Sequence, residues 1–284
     1  MHAVRSLVVG VTLADRIEVW YKPNRSASLH QPPAGERRGS TLRRGRLQLS
    51  VVGAAGLETE DNLCLRAARW WMARFGEPNG HLEIVLHKEI PIAVGLGGGS
   101  SDAAALLRAL GRLGQQTLDS LDSEDVVALG SDVPFCLAGR PALVTGIGEQ
   151  IEYRRVSVSA MCLVLPDWSW PTVEAYRALD ALRHGKNVAE GFGEEPPLGW
   201  NDFWPLARQR QPGLHHLRRL LKETGASSIG MSGKGPLLFG TYATLTQARR
   251  AAALLEGHGF WARAVEVIQG PASRDPGLEG GPRQ

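Results

Sequence analysis

Apolar and polar residues follow two rhythms along this chain. A period of two runs through Val4 to Val11 and Arg16 to Tyr21 and returns in Arg46 to Val52 and Leu82 to Lys88, all rich in Val, Leu and Ile. These segments are predicted strands. A helical rhythm runs from Asp61, a good N-cap, to Phe75, where Gly76 and Pro78 stop it. Within it the adjacent Trp70 and Trp71 read as core anchors. A second helix is predicted from about Ser100 to Leu113 and a short one from Ser123 to Leu129, followed by two or three strands between Val133 and Tyr153.

The pattern then resets. Met161 to Pro166 reads as a strand, Pro171 to Leu182 as a helix, and Asn201 to Glu223 as two helices with Pro212 at the start of the second. Strands at Ser228 to Met231 and Leu237 to Thr241, a helix at Thr244 to Gly257 and a strand at Phe260 to Ile268 complete the series. This alternation predicts an α/β (α+β) chain of two lobes, residues 1–157 and 158–269. Residues 270–284 hold seven Gly or Pro and predict a disordered tail.

Composition narrows the class. With 43% hydrophobic residues in 284 and no period in its 34 Gly and 17 Pro, the chain is neither fibrous nor disordered. No run of 18 apolar residues exists, so no membrane-spanning helix is expected. The first residues lack a small-x-small cleavage site and read as a strand rather than a secretory signal. Cys64, Cys136 and Cys162 are odd in number and without CxxC spacing, which argues against disulfides and zinc and for a reducing, cytoplasmic location. Residues 1–50 carry nine Lys or Arg against three acids, a net +6, while the whole chain is only +3. Most of that excess lies in Lys22 to Arg46, which reads as a long solvated loop. It lacks the interleaved aromatics of a nucleic-acid reader, so no nucleic-acid partner is expected.

The chemistry concentrates in Pro91 to Ala105, PIAVGLGGGSSDAAA. Here Gly95, Gly97, Gly98 and Gly99 let backbone approach a ligand, and the following helix start aims unpaired amides at the same point. Phosphate is the guest such a loop suits. Ser100 and Ser101 add hydroxyls for phosphate or magnesium. The loop lacks the Gly-Lys-[Ser/Thr] of a Walker A loop, and Ser100 occupies the third glycine of a GxGxxG loop. A tight packing turn is the alternative. A second candidate is Asp132 in GSDVPF, set between a short helix and an apolar strand as either a turn cap or a base. A third is the glycine turn Gly230 to Pro236, GMSGKGP.

In this order, PxxxGLGGGSSDAA, GSDVPF and MSGxGP resemble the GHMP small-molecule kinase superfamily. Within it the triple glycine is most similar to kinases acting on a cytidine-diphosphate-linked methylerythritol. LADRIEV at residues 13–19, Asn62-Leu63, PTVEAY at 171–176 and Asn201-Asp202 support this. The resemblance implies two lobes with mixed or antiparallel sheets packed with helices. It also implies ATP- and magnesium-dependent phosphorylation of that substrate's 2-hydroxyl in non-mevalonate isoprenoid synthesis. Pro91, Ile92, Ala93, Val94, Gly95, Leu96, Gly97, Gly98, Gly99, Ser100 and Ser101 would hold the nucleotide, with Asn62 and Lys88 lining its pocket. For Lys88 a solvated strand-end lysine is the alternative. Asp132 would be the catalytic aspartate, and Ser232 and Gly233 would belong to the loop closing over the substrate. His2 would contact the substrate, and Lys234, where a small Ser or Thr is usual, would bring positive charge to it or be a solvated hairpin lysine. Met1 stands at a usually aromatic position and Trp204 where an acid is usual. The resemblance also implies that the reading frame, or an ancestral one, extends upstream of Met1 by roughly twenty to thirty residues, a segment that would carry a further strand and the lysine partnering Asp132. A kinase for another small alcohol and a non-catalytic ligand-binding protein remain the alternatives.

Overall fold

The computed structural model describes residues 4–23, 41–44, 46–76, 80–116, 123–183 and 198–270. His2, the tail and most of the basic loop lie outside them. Among the described residues twelve strands and eight helices follow in chain order: β1 Val4–Val8, β2 Gly10–Val11, β3 Arg16–Pro23, β4 Thr41–Arg44, β5 Leu47–Val52, α1 Leu63–Phe75, β6 Gly80–His87, α2 Gly98–Gly114, α3 Ser123–Val127, α4 Val133–Ala138, β7 Ala142–Gly146, β8 Gln150–Tyr153, β9 Ala160–Leu165, α5 Thr172–Arg183, α6 Trp204–Arg210, α7 Gly213–Glu223, β10 Ile229–Met231, β11 Leu238–Tyr242, α8 Leu245–Gly257 and β12 Trp261–Ile268.

Among the described residues these strands form three sheets. One runs β3-β6-β5-β4 and is mixed, because β5 and β6 are parallel across the α1 crossover. A second, β10-β11-β9-β12-β2, is antiparallel throughout. The third is the antiparallel set β1-β7-β8. The strand expected over Val4 to Val11 is thus divided at Val9. Its first part pairs β7, and its second crosses to the C-terminal sheet, where Val11 opposes Val267.

The cores follow the periodicities. Leu49, Val51, Ile84 and Leu86 point from one sheet face onto Leu65 and Ala68 of α1 and Leu106 and Leu107 of α2, all buried. Trp71 is buried with them, whereas Trp70 is only partly covered and lies beneath the Arg74 guanidinium. A second core gathers Cys162 and Val164 of β9 with Leu214, Leu217 and Leu221 of α7 and Ala248 and Leu255 of α8. A smaller third cluster joins the halves: Val94 of the glycine loop packs with Met161, Leu163, Leu237, Val265 and Val267. The glycine loop is therefore rooted in the C-terminal sheet as well as in its own helix.

Three local expectations change. Val133 to Ala138 forms helix α4, not a strand; VPFCLA is a short apolar run that suits either state, and Pro134 fits a first helical turn. Helix α1 is capped by Asn62 rather than Asp61, with Asn62 Oδ1 accepting from the Cys64 N–H at 2.9 Å. Within the basic segment, Thr41 to Arg44 forms β4 and pairs with β5.

Candidate active site

Helix α2 begins two residues earlier than its sequence suggests, at Gly98, with Gly97 as a left-handed cap at φ 63°. The first intrahelical bond runs from the Ser101 N–H to the Gly97 carbonyl at 2.9 Å. The amides of Gly98, Gly99 and Ser100 therefore lack intrahelical partners, and the positive end of a 17-residue helix lies behind them. The Ser101 hydroxyl donates back to the Gly98 carbonyl. The Ser100 hydroxyl instead faces Gly130, where a Cβ would stand 3.4 Å from it.

Asp132 occupies the N-cap position of α4, yet its side chain makes no capping hydrogen bond. Its carboxylate is turned toward the glycine loop: a Cβ on Gly97 would stand 3.5 Å from Asp132 Oδ2. Arg108 of α2 fixes this relation by donating to the Cys136 and Leu137 carbonyls at the end of α4, at 2.6 and 2.7 Å. Asp132 opens to solvent on one side, but the protein packed around it disfavours the charge, and burial pushes its pKa up. The result is a carboxylate beside a nest of unpaired amides.

Beneath the loop lies a charge cluster that sequence reading did not identify. Lys88 Nζ donates to Asp102 Oδ2 at 2.9 Å and to Asp15 Oδ2, and all three side chains are nearly inaccessible. Asp15 Oδ1 also accepts the amides of Glu89 and Ile90. Burial would raise the Asp15 pKa, but the Lys88 hydrogen bond and these amides hold it below the usual carboxylate value. Burial raises Asp102 to about 7, because Lys88 offsets only part of the desolvation. Lys88, which burial alone would lower, is raised by its two carboxylates. The cluster abuts the loop, since a Cβ on Gly98 would lie 3.2 Å from Ile90 Cγ2 and 3.4 Å from Lys88 Nζ. Lys88 is thus neither a solvated strand-end lysine nor a free cation at the loop surface.

The closing turn reaches the loop from the other side. Ser232 Oγ donates to the Gly95 carbonyl at 2.7 Å. A Cβ on Gly95 would collide with the Ser232 carbonyl, so only glycine, here at φ 90°, permits this approach. Asn201 supports the turn by donating to the Met231 and Gly233 carbonyls at 2.8 and 2.7 Å. Lys234 Nζ is surrounded by the Ala93, Trp170 and Gly235 carbonyls, contrary to the expectation of a cation offered to substrate. Asn62 is likewise engaged, capping α1 with Oδ1 and donating Nδ2 to the Leu57 carbonyl.

Comparison with known proteins decides the family. Residues 62–140 match the GHMP kinases N terminal domain. The chain is 36% identical to the 4-diphosphocytidyl-2-C-methyl-D-erythritol kinase of Anaeromyxobacter sp. (strain Fw109-5), over 98% of this chain and 86% of that protein. The chain belongs to the 4-diphosphocytidyl-2-C-methyl-D-erythritol kinase family of GHMP kinases. A crystal structure of a 4-(cytidine 5'-diphospho)-2C-methyl-D-erythritol kinase superposes with a TM-score of 0.70 at 31% identity, covering 95% of this chain and 91% of that one. L. major mevalonate kinase, at 14% identity, a TM-score of 0.59 and coverage of 95% and 91%, shares the fold alone. Both solved structures thus share the overall fold of this chain.

Proposed function

We propose that the protein transfers the γ-phosphoryl group of ATP to the 2-hydroxyl of 4-diphosphocytidyl-2-C-methyl-D-erythritol, a step of non-mevalonate isoprenoid synthesis. The observation that carries this reading is Asp132, a cap-position carboxylate that leaves its helix uncapped and turns to the phosphate loop instead. A purely structural aspartate would satisfy the amides beside it.

Phosphoryl transfer asks a protein mainly for positioning and charge stabilisation. The unpaired amides at the start of α2 take the oxygens of the triphosphate. Asp132 orients the attacking hydroxyl and accepts its proton, and a pKa raised by burial makes it the better base near neutrality. The Ser232 turn closes the outer side of the loop, and Pro91 to Leu96 form its wall.

Among the described residues no group of three or more His, Cys, Asp or Glu could cage a metal ion. Magnesium keeps to phosphate oxygens with one or two protein oxygens beside them. The Ser100 hydroxyl and Asp132 carboxylate would hold it here, and when bound it neutralises charge on the phosphates. We read residues 1–157 as the nucleotide lobe and 158–269 as the closing lobe, in keeping with the separate cores. No helix among the described residues is long and apolar enough to cross a membrane.

The test is an ADP-release assay of the full-length protein with the cytidylyl substrate, mevalonate and homoserine as competing acceptors. The cytidylyl substrate should have the highest kcat/KM; preference for another alcohol would overturn the assignment.

A further inference from the structure

The glycine loop carries an unusual feature just before its first glycine. Ala93 adopts φ 59°, a left-handed conformation that costs a residue with a Cβ on the order of 1 kcal/mol and persists only where the surroundings impose it. What faces its carbonyl is the Lys234 ammonium, at 3.1 Å. The same ammonium donates to the Trp170 carbonyl at 2.9 Å and the Gly235 carbonyl at 3.3 Å. An ammonium has three donors and no acceptor, so these three carbonyls use it fully. Trp170 returns the contact, its indole N–H donating to the Lys234 carbonyl at 2.8 Å. No ion pair links Lys234 to a carboxylate among the described residues; Arg210, whose guanidinium lies over the Trp170 ring, is paired with Glu174.

We propose that Lys234 is a positioning residue of the nucleotide site: its ammonium ties the Ala93, Trp170 and Gly235 carbonyls together and holds the turn at residues 93–95 in the shape that presents the phosphate loop. The inference rests on the reading of Pro91 to Ser101 as the nucleotide loop. It assigns Lys234 to neither a solvated hairpin nor the substrate's diphosphate.

The geometry explains why a lysine serves. The three carbonyls belong to segments 64 and 141 residues away from Lys234 and to its own neighbour. A serine hydroxyl, on a short stem with one hydrogen to donate, could serve one of them. A planar guanidinium presents its donors as a fork in one plane and does not reproduce three donors around one centre. Ser232, donating to Gly95, is the second tie between the same two loops. Lys234 adds the tie at the strained residue. Partial burial lowers the Lys234 pKa, in keeping with a half-buried ammonium that donates to main-chain carbonyls.

The test is steady-state kinetics of Lys234→Ala in the full-length protein, with and without ethylammonium chloride. KM for ATP should rise about tenfold, with KM for the alcohol substrate changed much less. Ethylammonium should restore much of the loss by occupying the carbonyl cradle, whereas tetramethylammonium, which cannot donate, should not. Adding Ala93→Gly to Lys234→Ala should also recover ATP affinity, because glycine holds the left-handed turn without help. An unchanged KM for ATP, or a loss confined to the alcohol substrate, overturns the proposal. So does a loss that neither ethylammonium nor Ala93→Gly relieves. Failure of the underlying reading is separate: it appears as an unaltered protein that binds no ATP.

Discussion

Lys88 Nζ lies 2.9 Å from Asp102 Oδ2 in the first turns of α2, and the same ammonium holds Asp15 beside the strand that leads to the loop. Two carboxylates and one ammonium are thus buried under the unpaired amides at the start of α2. The bridge ties the residue that follows β6 to the first turns of α2. Removing the lysine leaves two buried carboxylates facing each other without a cation. Lys88→Met should therefore destabilise the fold by about 3–5 kcal/mol, read by chemical denaturation. A loss below about 1 kcal/mol would mean that the cluster is hydrated and peripheral.

Asp102 gives this cluster a pH signature. Its folded pKa of about 7 exceeds the unfolded carboxylate value, so the native state binds the extra proton between roughly pH 4 and 7. Its contribution to stability is present at low pH and is lost as pH rises through about 7. Asp102→Asn removes that dependence. The stability of the variant relative to the unaltered protein should increase from pH 5 to pH 8; a difference that is flat or decreasing would contradict the assignment.

Much of the fold is legible in the chain, because alternation and helical spacing are local properties. The burial of Leu214, Leu217 and Leu221 on one face of α7 is readable directly from their spacing. VPFCLA is not, since a six-residue apolar run has no period to read. The glycine loop and Asp132 stand out because their residue types are unusual for their places. The Lys88 cluster does not, since its members meet only through tertiary structure, 14 and 73 residues apart. One signal existed: Asp102 shares the helical face of Leu106 and Leu110, where an acid must be paired if buried. Lys234 gave none, because its partners are main-chain carbonyls, which no side-chain pattern encodes.

Gly97 is the point where loop and carboxylate meet. Gly97→Ala would place a methyl group 3.5 Å from Asp132 Oδ2 and force a left-handed alanine at φ 63°. The backbone strain should cost about 1–2 kcal/mol, lowering the melting temperature by a few degrees. Turnover should fall at least tenfold, measured alongside calorimetric ATP binding. Full activity would mean that the reacting groups do not meet at Gly97.

Asn62 is predicted to act through α1. Asn62→Ala removes the cap of the Cys64 N–H and the tie to Leu57, and should cost about 1 kcal/mol of stability. Thermal unfolding checks this, and an unchanged midpoint would return Asn62 to the nucleotide pocket as its main role.

Asp132 is the group proposed to make the bound alcohol reactive. The most direct measurement is phosphorus NMR of the full-length protein mixed with ATP, magnesium and the cytidylyl substrate, run beside Asp132→Asn. The unaltered protein should convert the alcohol to its 2-phosphate with one ADP formed per phosphate transferred. Asp132→Asn should bind ATP with near-normal affinity and turn over roughly 10² to 10⁴-fold more slowly. The unaltered rate should also fall as pH drops through an Asp132 pKa raised above the ordinary carboxylate value of 3.8. A new 2-phosphate formed at the normal rate by Asp132→Asn would contradict the central claim.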